Sequence, residues 1–150
     1  MSNIFQDDFR DFIKCLNLFK VEYLLVGGYA VILHGYSRTT GDMDIWVNRT
    51  EENYQRIQNA FLKFEMPTFD MSKENFLNHK TWDVFRFGRP PVAIDIMIKM
   101  GDFDFMTCYE NAQTFSDDDL EVKVIHYNQL LEAKKSASRP KDLDDLQNLK

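Results

Sequence analysis

VGGYAVILHGYSRTTGDMDIWV, residues 26–47, is the stretch whose reading decides the fold. An apolar strand over Tyr23 to Val26 runs into Gly27-Gly28, a short helix over 29–36 follows, and a second apolar strand over Met43 to Val47 carries Asp42 and Asp44 in alternation. Strand residues two apart share a face, so both carboxylates stand on one side while Met43 and Ile45 point to the other. Adjacent carboxylates repel, and a hard cation relieves that repulsion; magnesium in particular takes one or two carboxylates together with substrate phosphates. Paired glycines let backbone amides approach a bulky anion, and the helix behind them turns its positive end to the same place. The combination reads as a phosphate site with its metal. Each part also has a plainer explanation. Gly27-Gly28 suits any tight turn from strand to helix, and Asp42 and Asp44 suit the solvent face of an edge strand.

Outward from this stretch, apolar residues at helical spacing (Phe5, Phe9, Phe12, Ile13, Leu16, Phe19) predict an amphipathic helix over 5–19. Thr50 followed by Glu51 and Glu52 predicts a capped helix with Tyr54, Ile57, Phe61 and Leu62 facing inward, ending before Pro67. A shorter helix is expected over 73–78. Trp82 to Phe87 and Val92 to Lys99 then read as a hairpin around Gly88-Arg89-Pro90-Pro91, which brings Asp95 beside the first two aspartates. Beyond Gly101 the pattern blurs, with a helix near Phe105, a last strand over Leu120 to Ile125, and two closing helices over about 127–136 and 140–149. Pro140 suits the first turn of the latter, where Asp142, Asp144 and Asp145 complement the dipole. The expected fold class is α/β (α+β): one domain over 1–150, a mixed twisted sheet with helices mainly on one face.

Composition narrows the function classes. Apolar residues make up 44% of the 150 and phenylalanine alone supplies 13, ample for one core and against disorder. No apolar run approaches the length of a membrane span and no signal-peptide pattern opens the chain, so a cytoplasmic location is expected. Cys15 and Cys108 stand apart without metal-ligand spacing and read as buried thiols. His34, His79 and His126 show no spacing suited to a metal or a dyad. Net charge is −6 and no basic tract exceeds Lys134-Lys135. Binding to long nucleic acid through phosphates needs a basic face, so extended nucleic-acid binding is not expected.

The glycine turn followed by Asp42-Met43-Asp44, with Asp95 on a later strand in Val92-Ala93-Ile94-Asp95-Ile96, resembles the nucleotidyltransferase superfamily related to DNA polymerase beta. Lys134 and the run Arg139-Pro140-Lys141-Asp142-Leu143-Asp144-Asp145-Leu146 are similar to the ending of its more specialised bacterial members. Within the superfamily, the chain looks most like the small bacterial branch that holds abortive-infection (type IV) toxin and aminoglycoside nucleotidyltransferases. The resemblance spans roughly residues 20 to 150. It implies transfer of a nucleoside monophosphate from a nucleoside triphosphate, ATP among the candidates, to a hydroxyl on a small molecule, a protein or an RNA end. It also implies two magnesium ions, with manganese as the alternative, held by Asp42, Asp44 and Asp95 as metal ligands and catalytic groups. Gly27, Gly28, Arg38, Lys134 and Lys141 would bind the nucleotide.

Two other classes remain open on the residues alone. The chain could be a non-catalytic relative kept as a partner-binding module, such as a toxin–antitoxin component, or a structural domain with three solvated aspartates. A protein partner or a homodimer is compatible with every reading. Trp46, Trp82 and Phe85 are candidate faces for a stacked base or a dimer contact.

Overall fold

Heptad-like spacing of Phe9, Phe12, Ile13 and Leu16 places all four on one stripe, and in the structure each is fully buried along helix α1 (Asp7–Leu18). The structure, a computed structural model, describes residues 7–35, 41–78, 80, 82–89 and 92–137. Strand β1 (Tyr23–Val26) follows α1, and all four of its residues are buried, as a central strand covered on both faces requires. Helix α2 (Gly27–Leu33) starts on the glycine pair itself, two residues earlier than expected, because Gly27 takes a positive φ of 67° that lets the chain turn straight out of β1.

Strand β2 (Asp42–Val47) is followed by α3 (Glu51–Phe64), α4 (Lys73–Leu77), β3 (Val84–Arg89) and β4 (Val92–Met97). Then come α5 (Phe105–Glu110), β5 (Gln113–Asp117), β6 (Leu120–Val124) and α6 (Tyr127–Ala137). The six strands form one mixed sheet in the order β3-β4-β2-β1-β6-β5. β2 runs parallel to β4 and β1 parallel to β6, while the other three pairings are antiparallel. Together with the helices this is the expected α+β class. The second closing helix expected over 140–149 lies outside the described residues.

Phe61 of α3 meets Phe12 of α1 at 5.6 Å and Phe87 of β3 at 4.9 Å, both edge-on, so α1 and α3 close over one sheet face. That face carries Met43, Ile45, Ile94 and Ile96, each at most 3% exposed. Thr50 caps α3 as expected, its hydroxyl accepting from the Asn53 amide at 3.1 Å. Leu62 does not join the inward stripe: it is 79% exposed, and Ala60, on the side shared with Ile57 and Phe61, is buried instead. The opposite sheet face is covered at one end, where Phe105 of α5 packs edge-on against Trp46 at 5.1 Å. Trp46 and Phe85 are therefore core residues and cannot stack a base, while Trp82 stacks on Phe85 at 4.9 Å.

Strand β5 escapes the sequence because Gln113-Thr114-Phe115-Ser116-Asp117 has no apolar alternation; it is an edge strand, exposed along most of its length. Its hairpin with β6 turns on Asp118, in the left-handed conformation, and is tied to α1 by Arg10, which reaches Asp117 at 2.8 Å and Asp119 at 3.0 Å. Cys108 is buried and Cys15 partly so, and desolvation raises both thiol pKa values, as suits unreactive core sulfurs.

Asn53 is fully buried with its amide oxygen and both amide hydrogens bonded: it accepts from the Glu22 amide at 2.8 Å and donates to the carbonyls of Glu22 and Asn48 at 3.1 and 2.9 Å. Asn53→Ala strands those groups and should lower unfolding free energy by about 1–3 kcal/mol, read from the urea midpoint at unchanged slope. His34 sits between the rings of Phe115 and Tyr127, with Nε2 bonded to the Ile125 carbonyl at 2.8 Å. Burial lowers its pKa below the ordinary imidazole value. The unfolded chain then binds the proton more readily, so stability is lost as pH falls through about 6.5 towards the lower folded value. Melting temperature should decline from pH 7 to pH 5.5, and His34→Gln should flatten that decline.

Candidate active site

The pleat of β2 sends Met43 and Ile45 into the core, which turns Asp42 and Asp44 to the other face. Parallel pairing sets Asp44 directly opposite Asp95 of β4, and Asp42 opposite Ala93. The three sequence-predicted carboxylates thus share one patch of one sheet face. Gly27 closes the patch from β1, where Val26 pairs with Asp44. A Cβ on Gly27 would collide with the Asp44 carboxylate, so a side chain there would force Asp44 to shift. The glycine turn and the acidic strand are pressed together.

Arg86 was not foreseen. Antiparallel pairing of β3 on β4 places it opposite Asp95, and its Nη2 donates to Asp42 Oδ2 at 2.9 Å and to Asp95 Oδ2 at 3.1 Å. Its Nε also lies 3.1 Å from Asp95 Oδ1, close enough for an ion pair. The hydrogen is not aligned, and Oδ1 is a buried acceptor without a hydrogen bond. The two carboxylates hold the Arg86 guanidinium above even its ordinary high pKa, Asp42 through its hydrogen bond first and Asp95 second. Strand pairing continues to Arg89 opposite Val92, and counting back from that pair brings Arg86 opposite Asp95; counting from a turn over 88–91 would have set Arg86 opposite Ala93 and hidden the contact.

Exposure falls across the patch, from half for Arg86 and 41% for Asp42 to 15% for Asp95. Among the described residues no three acidic, histidine or cysteine side chains are arranged to enclose a metal ion; Asp42 and Asp95 converge on Arg86 instead. The donor set nevertheless fits a hard cation, being all carboxylate oxygen and including the orphaned Asp95 Oδ1. Lys134 is buried at 5% on α6, which packs against α2, whereas Lys135 is exposed. Gly28 is buried in the first turn of α2. Arg38 and Lys141 lie outside the described residues.

Solved structures with the same architecture are recognisable. TM1012 of Thermotoga maritima, to which nucleotidyltransferase activity is ascribed, superposes with a TM-score of 0.62 at 14% identity, over 93% of this chain and 88% of that one. The chain has the nucleotidyltransferase fold. The lincosamide antibiotic adenylyltransferase LnuA, solved with lincomycin bound, shares that fold at a TM-score of 0.58 and 18% identity, over 99% of this chain and 98% of LnuA. A nucleotidyltransferase-like antigen of Paracoccidioides brasiliensis matches at 0.53 and 17%, over 91% of this chain and 71% of its own. At these identities the likeness is one of fold. No protein-family model matches the sequence, and no curated protein does.

The nucleotidyltransferase fold here leaves Gly27 no freedom to vary. Gly27→Ala places a Cβ on the Asp44 carboxylate and an L-residue at φ 67°, so it should cost about 1–3 kcal/mol of stability. Gly41→Ala meets open space at the other end of the same segment and should change stability by less than about 0.5 kcal/mol. Parallel denaturant titrations of the two variants check the contrast.

Proposed function

We propose that this chain is a magnesium-dependent nucleotidyltransferase that moves a nucleoside monophosphate from a nucleoside triphosphate to a hydroxyl acceptor and releases pyrophosphate. The observation that carries the reading is the register of β2 on β4: Asp44 faces Asp95, and Asp42 shares one guanidinium nitrogen with Asp95. Asp42, Asp44 and Asp95 would hold two magnesium ions, with manganese as the alternative. When bound, these supply Lewis acidity and neutralise charge at the attacking and leaving oxygens. Asp95 is suited to take the acceptor proton, being less exposed than Asp42 and having an oxygen that accepts no hydrogen bond among the described residues. The acceptor oxygen forms a bond to the α-phosphorus as the bond from that phosphorus to the bridging oxygen of pyrophosphate breaks.

Gly27 and Gly28, where the chain turns from β1 into α2 beside Asp44, would present their backbone to the triphosphate. Lys134, on the helix that packs against α2, would face its charge, with Arg38 and Lys141 as further contacts. A small-molecule hydroxyl is the favoured acceptor, for two reasons. LnuA is an adenylyltransferase solved with a small antibiotic and matches this chain along nearly its whole length. The net charge of −6 opposes long nucleic acid. Likeness to an adenylyltransferase likewise supports ATP as the donor for this chain. Among the described residues no helix is long and apolar enough to cross a membrane, and we assign the reaction to the cytoplasm.

Arg86 itself supports a second reading. Its guanidinium offsets Asp42 and Asp95 without any metal, so a non-catalytic partner-binding module, such as a toxin–antitoxin component or a homodimer subunit, could retain the acidic patch at little cost.

Melting temperature against the four ribonucleoside triphosphates, with and without magnesium, separates the readings. One triphosphate, ATP first, should raise it only with magnesium, by the equivalent of about 2.7 kcal/mol at a hundredfold excess over Kd. Asp42→Ala with Asp44→Ala should abolish the rise. No shift with any triphosphate at millimolar concentration would favour the partner-binding module.

A further inference from the structure

We infer that Arg86 is a built-in counter-ion that competes with the divalent metal for Asp42 and Asp95, so that loading the site requires its guanidinium to swing away. The inference rests on the assignment of those aspartates as metal ligands in the proposed function, and it concerns a residue that sequence motifs do not reach.

The geometry is that of a substitute cation. One nitrogen, Nη2, serves a carboxylate on each of two parallel strands, at 2.9 Å to Asp42 and 3.1 Å to Asp95. Asp42 Oδ2 and Asp95 Oδ2, which the guanidinium occupies, are two of the oxygens that these carboxylates would offer a metal. Both charges cannot be accommodated at once. A guanidinium and a divalent ion confined between two strands would repel strongly at such separation.

The arrangement is also displaceable. Arg86 stands on β3, an edge strand of the sheet, and half of its side chain is in solvent. Released from the aspartates, the guanidinium can be hydrated without burying a charge, so the exchange costs only a half-exposed ion pair. Asp95 adds a reason to exchange. Its Oδ1 is buried and 3.1 Å from Nε, yet the planar fork cannot aim a hydrogen at it while Nη2 spans the gap to Asp42. A spherical cation has no such directional limit.

Removing the guanidinium therefore leaves the aspartates intact and the site more negative. Manganese(II) alone, without nucleotide, is the probe, its free concentration read by electron paramagnetic resonance on the full chain. Arg86→Gln should bind it about two- to fivefold more tightly than the wild type, the range expected for loss of a half-exposed competing ion pair. Arg86→Met likewise removes the charge and should also bind more tightly than wild type; it serves if Arg86→Gln does not fold, which thermal unfolding will show. Equal or weaker binding in the folded variants overturns the inference while leaving the metal site standing. Absence of manganese binding in wild type and variants alike, or binding that persists in Asp42→Asn with Asp95→Asn, overturns the metal assignment and this inference with it.

Discussion

The register of two parallel strands governs both the core and the acidic patch. Along β2 and β4 the side-chain period is two, so seating Met43, Ile45, Ile94 and Ile96 against α1 and α3 forces Asp42, Asp44 and Asp95 onto the far face. A slip of one residue in either strand would send carboxylates into the core and isoleucines into water. The hydrophobic effect, acting on one face, thereby holds like charges together on the other, where directly opposed carboxylates would by themselves weaken the pairing. Arg86 and the bare Cα of Gly27 are the local accommodations to that crowding. The first supplies charge and the second supplies space.

Much of this was legible because short-range rules applied. Tyr23 to Val26 is an unbroken apolar run and is a central strand; Thr50 is a cap by residue type and position; Asp42 and Asp44 share a face by alternation alone. The pairing of Asp44 with Asp95 was readable only as order along the chain, since parallel register across α3 and α4 has no local signature. Arg86 was missed for a related reason: its role depends on three strands meeting side by side, although its pairing with Asp95 follows from the hairpin. Trp46 was misjudged because the strand is amphipathic at its start and two-sided at its end, where α5 arrives from far along the sequence to cover it. β5 carries no pattern because an exposed edge strand needs none.

Charge is organised more finely than the net value of −6 suggests. Asp117 and Asp95, at 5% and 15% exposed, each have an arginine from a different element, Arg10 of α1 and Arg86 of β3. Arginine suits both places because its rigid planar fork holds several N–H donors in fixed directions towards neighbouring oxygens. The two pairs differ in what surrounds them. Arg10 is 15% exposed and joins elements that must stay together, whereas Arg86 is half exposed at the margin of the sheet.

The strand order divides the molecule by time as well as by space. β2, β3 and β4 reach their places within one continuous stretch of chain that also includes β1, and the acidic patch with its glycine turn belongs wholly to that stretch. Completion of the sheet is different: β6 must return to β1, and the bonds that fasten it, from Lys123 to Tyr23 and from Arg10 to Asp117, join residues 100 and 107 apart. Closing so long a loop is slow and entropically costly before its contacts form. During synthesis the carboxylates can be assembled while β1 still presents an open edge, and the C-terminal hairpin arrives last to seal it.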